Sequence, residues 1–225
     1  MTSKTITLQD ILEMDKLLNK EQFRDQSILN YLGKDLKNFL SNFLDHLGLG
    51  PDEQKILGEV SPQATIVGRV FIAAGAVVEP TAMIQGPAYI GNETEVRHGA
   101  YIRGNVYVGK KCVVGHATEV KGSVFFDEAK AGHFAYVGDS ILGTKVNLGA
   151  GTKLANLKLK RSEVMIRHPE GGEKIPTGLS KMGAIMGHEA QTGCNAVLSP
   201  GTVLLPGAIV GPCEHAIGTI SGRKR

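Results

Sequence analysis

Arg103 and Lys121 stand eighteen residues apart, as do His98 and His116, and His133 follows His116 by seventeen. Such intervals matter only if the chain returns to the same place after each one. If it does, two stacked cations repel unless an anion joins them, and a phosphate is the natural guest of an Arg–Lys pair. A column of imidazoles beside them offers groups that titrate near neutrality. Two plainer readings stay open: the cations can splay into water, and a surface or packed histidine is commoner than a base.

The pattern around these residues says that the chain does return. From Ile66 every sixth residue is aliphatic or aromatic: Ile66, Ile72, Val78, Ile84, Ile90, Val96, Ile102, Val108, Val114, Val120 and Phe126. A compact residue precedes each by two, as in Ala64, Ala76, Ala82, Ala88 and Ala100. No helix of period 3.6 and no ordinary alternating strand keeps to six for this long. A coil of three short flat faces does, with one large aliphatic per face turned inward and stacked coils burying a common core. The expected fold is an all-β solenoid, a parallel β-helix over 60–220. Residues eighteen apart then sit on adjacent rungs, about 4.8 Å apart.

After Phe126 the inward positions become Ala131, Val137, Leu142, Leu148 and Leu154, with two steps of five. Slips like these mark remodelled corners, and the first puts His133 one coil above His116. The segment 157–182 breaks the pattern; it is polar and basic and carries Pro169, Gly171, Gly172 and Pro176. It reads as a long excursion from the solenoid wall, with short strands around Val164–Ile166, and long loops on compact scaffolds are commonly sites. The period resumes at Met186, Thr192, Leu198, Leu204 and Val210, for about seven coils, with an irregular tail after Ile217.

Residues 1–55 follow another rule. Thr7 and Asp10 offer a helix start, with apolar residues from Leu8 to Leu18 behind them. A second apolar set at spacings of three and four predicts an amphipathic helix over 34–47, ended by Gly48, Gly50 and Pro51. This helical cap is expected to shield the open end of the solenoid; a protein partner docking on its helices is the other reading.

Composition sets limits on the class. Hydrophobic residues at 42% and charged residues at 21% describe a globular protein, and 29 glycines with no tryptophan suit narrow coils with tight corners. A net charge of +3 is too small to argue for nucleic acid. Three cysteines without metal-ligand spacing, and no secretory segment, argue for reduced thiols in the cytoplasm. No apolar run approaches membrane-spanning length.

The segments AYIRGNVYVG, CVVGHATEVKGS, AGHFAYVGDS and NLGAGTKLANLK, in this order and spacing, resemble the hexapeptide-repeat acetyltransferases. The likeness is to the acetyltransferase half of the bifunctional enzymes that make UDP-N-acetylglucosamine from glucosamine-1-phosphate, over about 84–212. The segment TGLSKMGAIMGHEAQTGCNAVLSPG resembles the part that follows in archaeal-type sequences. The resemblance implies a left-handed β-helix, a homotrimer, and transfer of acetyl from acetyl-CoA to glucosamine-1-phosphate or a related amino-sugar phosphate. It implies His133 as general base, oriented by Glu119. Arg103, Lys121, Tyr136, Asn147 and Asn156 would bind the sugar phosphate. Gly187, Ala190, Cys194 and Lys181 would lie along acetyl-CoA.

Two departures from the family stand out. Its Asn-Tyr-Asp triplet appears here as Asn156-Leu157-Lys158, which widens the expected acceptor to related amino-sugar phosphates. No glycine-rich nucleotide-binding segment follows a predicted strand, so uridylyl transfer is not expected from this chain. Two other functions compete. One is a metalloenzyme resembling the γ-type carbonic anhydrases, for which His98, His116 and His133 lack the family's pair five residues apart; no metal is expected. The other is a non-catalytic assembly or sugar-nucleotide-binding protein on the same fold.

Overall fold

A computed structural model describes residues 7, 9, 23, 27–168 and 174–222. The helix start expected at Thr7 and Asp10, with the apolar residues to Leu18, lies outside the described residues apart from Thr7, which bridges Ser27. The rest is a left-handed parallel β-helix of about nine turns. Nine strands from Gln54–Ile56 to Thr219–Ile220 stack into one face, and two further faces hold eight strands each. The count exceeds the expected seven because Gln54–Ile56 and Glu59–Val60 add a rung before Ile66. At the other end Thr219–Ile220 pairs with Thr202–Leu204, where an irregular tail was expected.

The period-six positions build the core. Ile72, Val78, Ile84, Ile90, Val96, Ile102, Val108, Val114 and Val120 are buried together, with Ala76, Ala82, Ala88 and Ala100 filling the narrow corners. The slip comes one residue before Phe126. Val108 registers with Phe125, whose ring points inward, while Phe126 turns outward. Both are apolar, so the pattern alone does not choose between them; an aromatic layer outside the wall does. From there Glu119 registers with Tyr136 and Ala131 with Leu148, two coils of seventeen residues.

That outer layer corrects the expected place of the helix. α1 (Gly33–His46) lies along the flank of the nine-stranded face rather than over the solenoid's end. Its buried stripe Leu36, Leu40, Phe43 and Leu44 meets the outward residues Phe71, Tyr89 and Tyr107, which rise one rung at a time. Phe43 sits edge-on to Tyr89 at 5.0 Å and to Tyr107 at 5.4 Å, and Tyr89 stacks on Tyr107 at 5.0 Å. Such pairs add about 0.5–1.5 kcal/mol each beyond their burial. Arg69 fastens the helix end to the wall through Asp45 at 2.6 Å and the carbonyl of Leu49.

The excursion folds onto the same flank. Met165–Arg167 and Lys174–Pro176 form an antiparallel hairpin, and Leu157 bridges Lys181. Alternation along the first strand buries Val164 and Ile166 beside Met182, Ile185 and Val203, and leaves Met165 and Arg167 facing away. The solenoid then resumes with Ile141 in register with Ile185.

Candidate active site

The three faces have different surfaces. The strands Glu95–Val96, Val113–His116, Lys130–His133 and Asn147–Leu148 belong to one, the histidine face. Tyr101–Arg103, Glu119–Lys121, Tyr136–Gly138 and Lys153–Leu154 belong to the next, the basic face. His98, His116 and His133 stand where the chain turns from the first to the second.

At this corner His116 registers with His133. The rings of His98 and His116 stack with centroids 5.0 Å apart and planes 3° from parallel. His116 Nδ1 donates to the His98 carbonyl at 2.9 Å, and His98 Nδ1 lies 2.8 Å from Thr81 Oγ1. The backbone climbs the corner in step: Phe134 N–H donates to His116 O, Gly151 to His133 O, Asn195 to Ala150 O and Cys213 to Cys194 O. Gly115 and Gly132 lie so close beneath the histidines that a Cβ on Gly115 would collide with the Gly132 carbonyl. Phe134 takes φ 53, a conformation costly for a bulky residue, and holds its half-exposed ring edge-on to His116.

On the basic face the cations are already partnered. Arg103 Nη1 meets Glu119 Oε1 at 2.5 Å, and the Glu119 hydrogen bond and charge hold the guanidinium above its ordinary pKa. Lys121 Nζ lies 3.0 and 3.2 Å from the two oxygens of Asp139, which is 8% exposed. Asn156 Nδ2 donates to Asp139 Oδ2 at 2.5 Å, and Tyr136 OH donates to Asn156 Oδ1 at 3.3 Å. Burial pushes the Tyr136 phenol up, with the Lys121 charge pulling the other way. The repulsion between Arg103 and Lys121 that called for an anion is thus met by two carboxylates of the chain itself.

The expected substrate residues therefore fall into two groups. Arg103, Glu119, Lys121, Tyr136 and Asn156 share the basic face and the turn beyond it, while Asn147 lies exposed on the histidine face, in register with Lys130 and Gln191. Glu119 reaches Arg103 rather than His133, whose side chain has no hydrogen bond among the described residues. Asp139 was not expected. The seventeen-residue step of these coils sets Gly138 in register with Lys121, so Asp139 stands one residue beyond the stacking position.

The four expected cofactor residues occupy three different corners. Cys194 is exposed and shares the corner of His133, two rungs along. Gly187 lies at the turn after Ala184–Met186, packed against Pro206, and Lys181 is exposed on the excursion. Ala190 has its methyl fully buried in the core, and its N–H and C=O are bonded to Gly187 and Asn147. The described residues gather no cluster of three or more His, Cys, Asp or Glu that could hold a metal. None of their helices is long and apolar enough to cross a membrane.

Residues 84–210 match the family model of the GMPPB C-terminal domain. A bifunctional protein GlmU of Methanococcus maripaludis strain C7 is 46% identical over 157 residues, covering 70% of this chain and 38% of that protein. A bifunctional sugar-1-phosphate nucleotidylyltransferase/acetyltransferase of Sulfurisphaera tokodaii is 39% identical over 88 residues, 36% of this chain and 21% of that one. The chain thus spans well under half the length of these curated relatives. The acetyltransferase domain of PglB from Neisseria gonorrhoeae aligns with a TM-score of 0.38 at 15% identity, over 93% of this chain and 72% of that one.

Proposed function

The chain belongs to the family of the GMPPB C-terminal domain, and from that we propose that it is an N-acetyltransferase moving acetyl from acetyl-CoA to glucosamine-1-phosphate or a related amino-sugar phosphate. One observation carries the reading: His133, whose side chain has no hydrogen bond among the described residues, stands at the edge of a wall of paired cations and buried polar groups. Relatives named as bifunctional sugar-1-phosphate nucleotidylyltransferase/acetyltransferase and GlmU support the choice of reaction and substrate class.

In this reading the sugar phosphate draws Arg103 off Glu119, an exchange of one oxyanion for another that costs little at a half-exposed site. Glu119 is then left to orient the imidazole of His133. Lys121, held by Asp139, supplies the second positive charge, and Tyr136, Asn147 and Asn156 contact the sugar. His133 takes a proton from the 2-amino group as its nitrogen attacks the thioester carbonyl. Backbone N–H groups meet the oxyanion, and collapse of the tetrahedral adduct expels the CoA thiolate, which takes up a proton. The donor's pantetheine arm runs along the corner past Cys194, in the groove of a homotrimer.

Release of free thiol from acetyl-CoA across a panel of amino-sugar phosphates tests this. The expected result is acceptor-dependent release that His133→Ala loses almost entirely. No release above background with any acceptor would leave the non-catalytic, sugar-nucleotide-binding reading in its place.

A further inference from the structure

Where the excursion crosses back over the last coils it borders a partly open cavity of about 410 Å³. It lies at the turn from the basic face to the helix-bearing face, a different corner from that of His133. Lys158, Arg167 and Lys174 line it, together with Met165, Pro200 and Ile217, and among the described residues no carboxylate does. Among the described residues none of the three cations is in an ion pair.

The hairpin holds these charges where they are. Because Val164 and Ile166 are anchored in the flank, Met165 and Arg167 must face the other way. Arg167 registers directly with Lys174 across the antiparallel pair, a placement that destabilises a sheet when the charges are alike. Thr219 Oγ1 donates to the Arg167 carbonyl at 2.7 Å, tying the hairpin to the last rung. Lys158 Nζ donates to the Glu163 carbonyl at 2.6 Å, which fixes that ammonium at the hairpin's base. A guanidinium fork and two ammoniums around one space match a phosphate or diphosphate. The exposed Ile217, with Met165 and Pro200, gives an apolar wall for the body of the molecule that carries it.

We propose that this cavity is a binding site for a small organic phosphate, held through its phosphate or diphosphate group by Lys158, Arg167 and Lys174. The ligand is either the nucleotide end of an acyl donor or a separate nucleotide diphosphate, and the two share the chemistry that the cavity reads.

Calorimetric titration of the full chain with inorganic pyrophosphate is the primary test, and it does not depend on acyl transfer. Saturable binding of one pyrophosphate per chain is expected. The double variant Arg167→Ala/Lys174→Ala should weaken it at least tenfold, with the unliganded melting temperature kept or raised as the like-charge pair is removed. Lys34→Ala/Lys37→Ala, which removes the same net charge from exposed positions of α1, should change it less than twofold. Absence of saturable binding, or equal weakening by the two double variants, overturns the site. Displacement of pyrophosphate by CoA but not UDP identifies an acyl donor, and displacement by UDP identifies a separate nucleotide. Displacement by neither overturns the assignment to an organic phosphate.

Discussion

Lys121 and Asp139 form an ion pair at 3.0 Å on the basic face, with Asp139 almost wholly buried and taking a left-handed backbone at φ 45 to reach it. Neither side chain can be read without the other. Asp139 fixes where the Lys121 ammonium stands, and it fixes Asn156 through Oδ2, the nearer of the two oxygens that Lys121 contacts.

Removing Asp139 should therefore act twice. Asp139→Ala is expected to lower unfolding free energy by about 3 kcal/mol, the low end of the range for breaking a buried pair, because Lys121 keeps 25% of its side chain exposed. In the proposed reaction it should also raise KM for the amino-sugar phosphate at least tenfold, with little change in KM for acetyl-CoA. Urea titration and steady-state kinetics check the two halves separately.

The glycine stack beneath the histidines gives a sharper test of the corner. Gly115→Ala forces a methyl group into the Gly132 carbonyl, so two rungs must part. A loss of at least about 2 kcal/mol is expected, within the usual cost of overpacking. Gly207→Ala meets no neighbour within 4 Å and should show only the backbone cost of its φ of 68. Thermal melts of the two variants side by side would show the difference.

The thiols should divide two to one. Cys194 and Cys213 are exposed, while Cys112 is fully buried and burial pushes its thiol far up. An alkylating reagent is expected to modify two cysteines in the folded protein and the third only after unfolding. Because the folded state holds the Cys112 proton more tightly, stability is fully present below the unfolded thiol's pKa of about 8.5 and falls as pH rises past it. Cys112→Ala should flatten that alkaline slope in urea midpoints measured from pH 8 to 10. If acetyl-CoA runs along the corner as proposed, it should also slow alkylation of Cys194.

Phe43 should matter to stability and not to chemistry. It packs on Tyr89 and Tyr107, on the face away from the corner of His133. Phe43→Ala is expected to cost about 3–5 kcal/mol, read from urea midpoints. Any activity per folded molecule should stay within twofold.

Much of this was legible in the residues. A strict period of six implies a solenoid because nothing else repeats at that interval, and the interval of seventeen placed His133 over His116 correctly. The partners of the cations were missed for a physical reason. Arg103 and Glu119 are sixteen residues apart and meet diagonally across rungs, whereas the stacking rule relates only residues directly above one another. Asp139 was missed for a similar reason: the seventeen-residue step sets Gly138 beside Lys121, and Asp139 reaches the ammonium from the next position. The place of α1 was not legible from the helix itself, since an amphipathic stripe shows that a face is buried without showing against what. Phe71, Tyr89 and Tyr107 were the missed signal: bulky rings recurring every eighteen residues at outward positions have to be covered.

That covering changes what kind of material the solenoid is. A bare stack of coils holds together only through neighbours, and it can fray or open one rung at a time. Here α1 grips rungs near one end through Phe71, Tyr89 and Tyr107, and the excursion grips Ile185 and Val203 further along, all in one continuous apolar layer. The flank works as a splint laid across the repeats. It should make the array melt in a single step and keep the corner of His133 from opening independently of the rest.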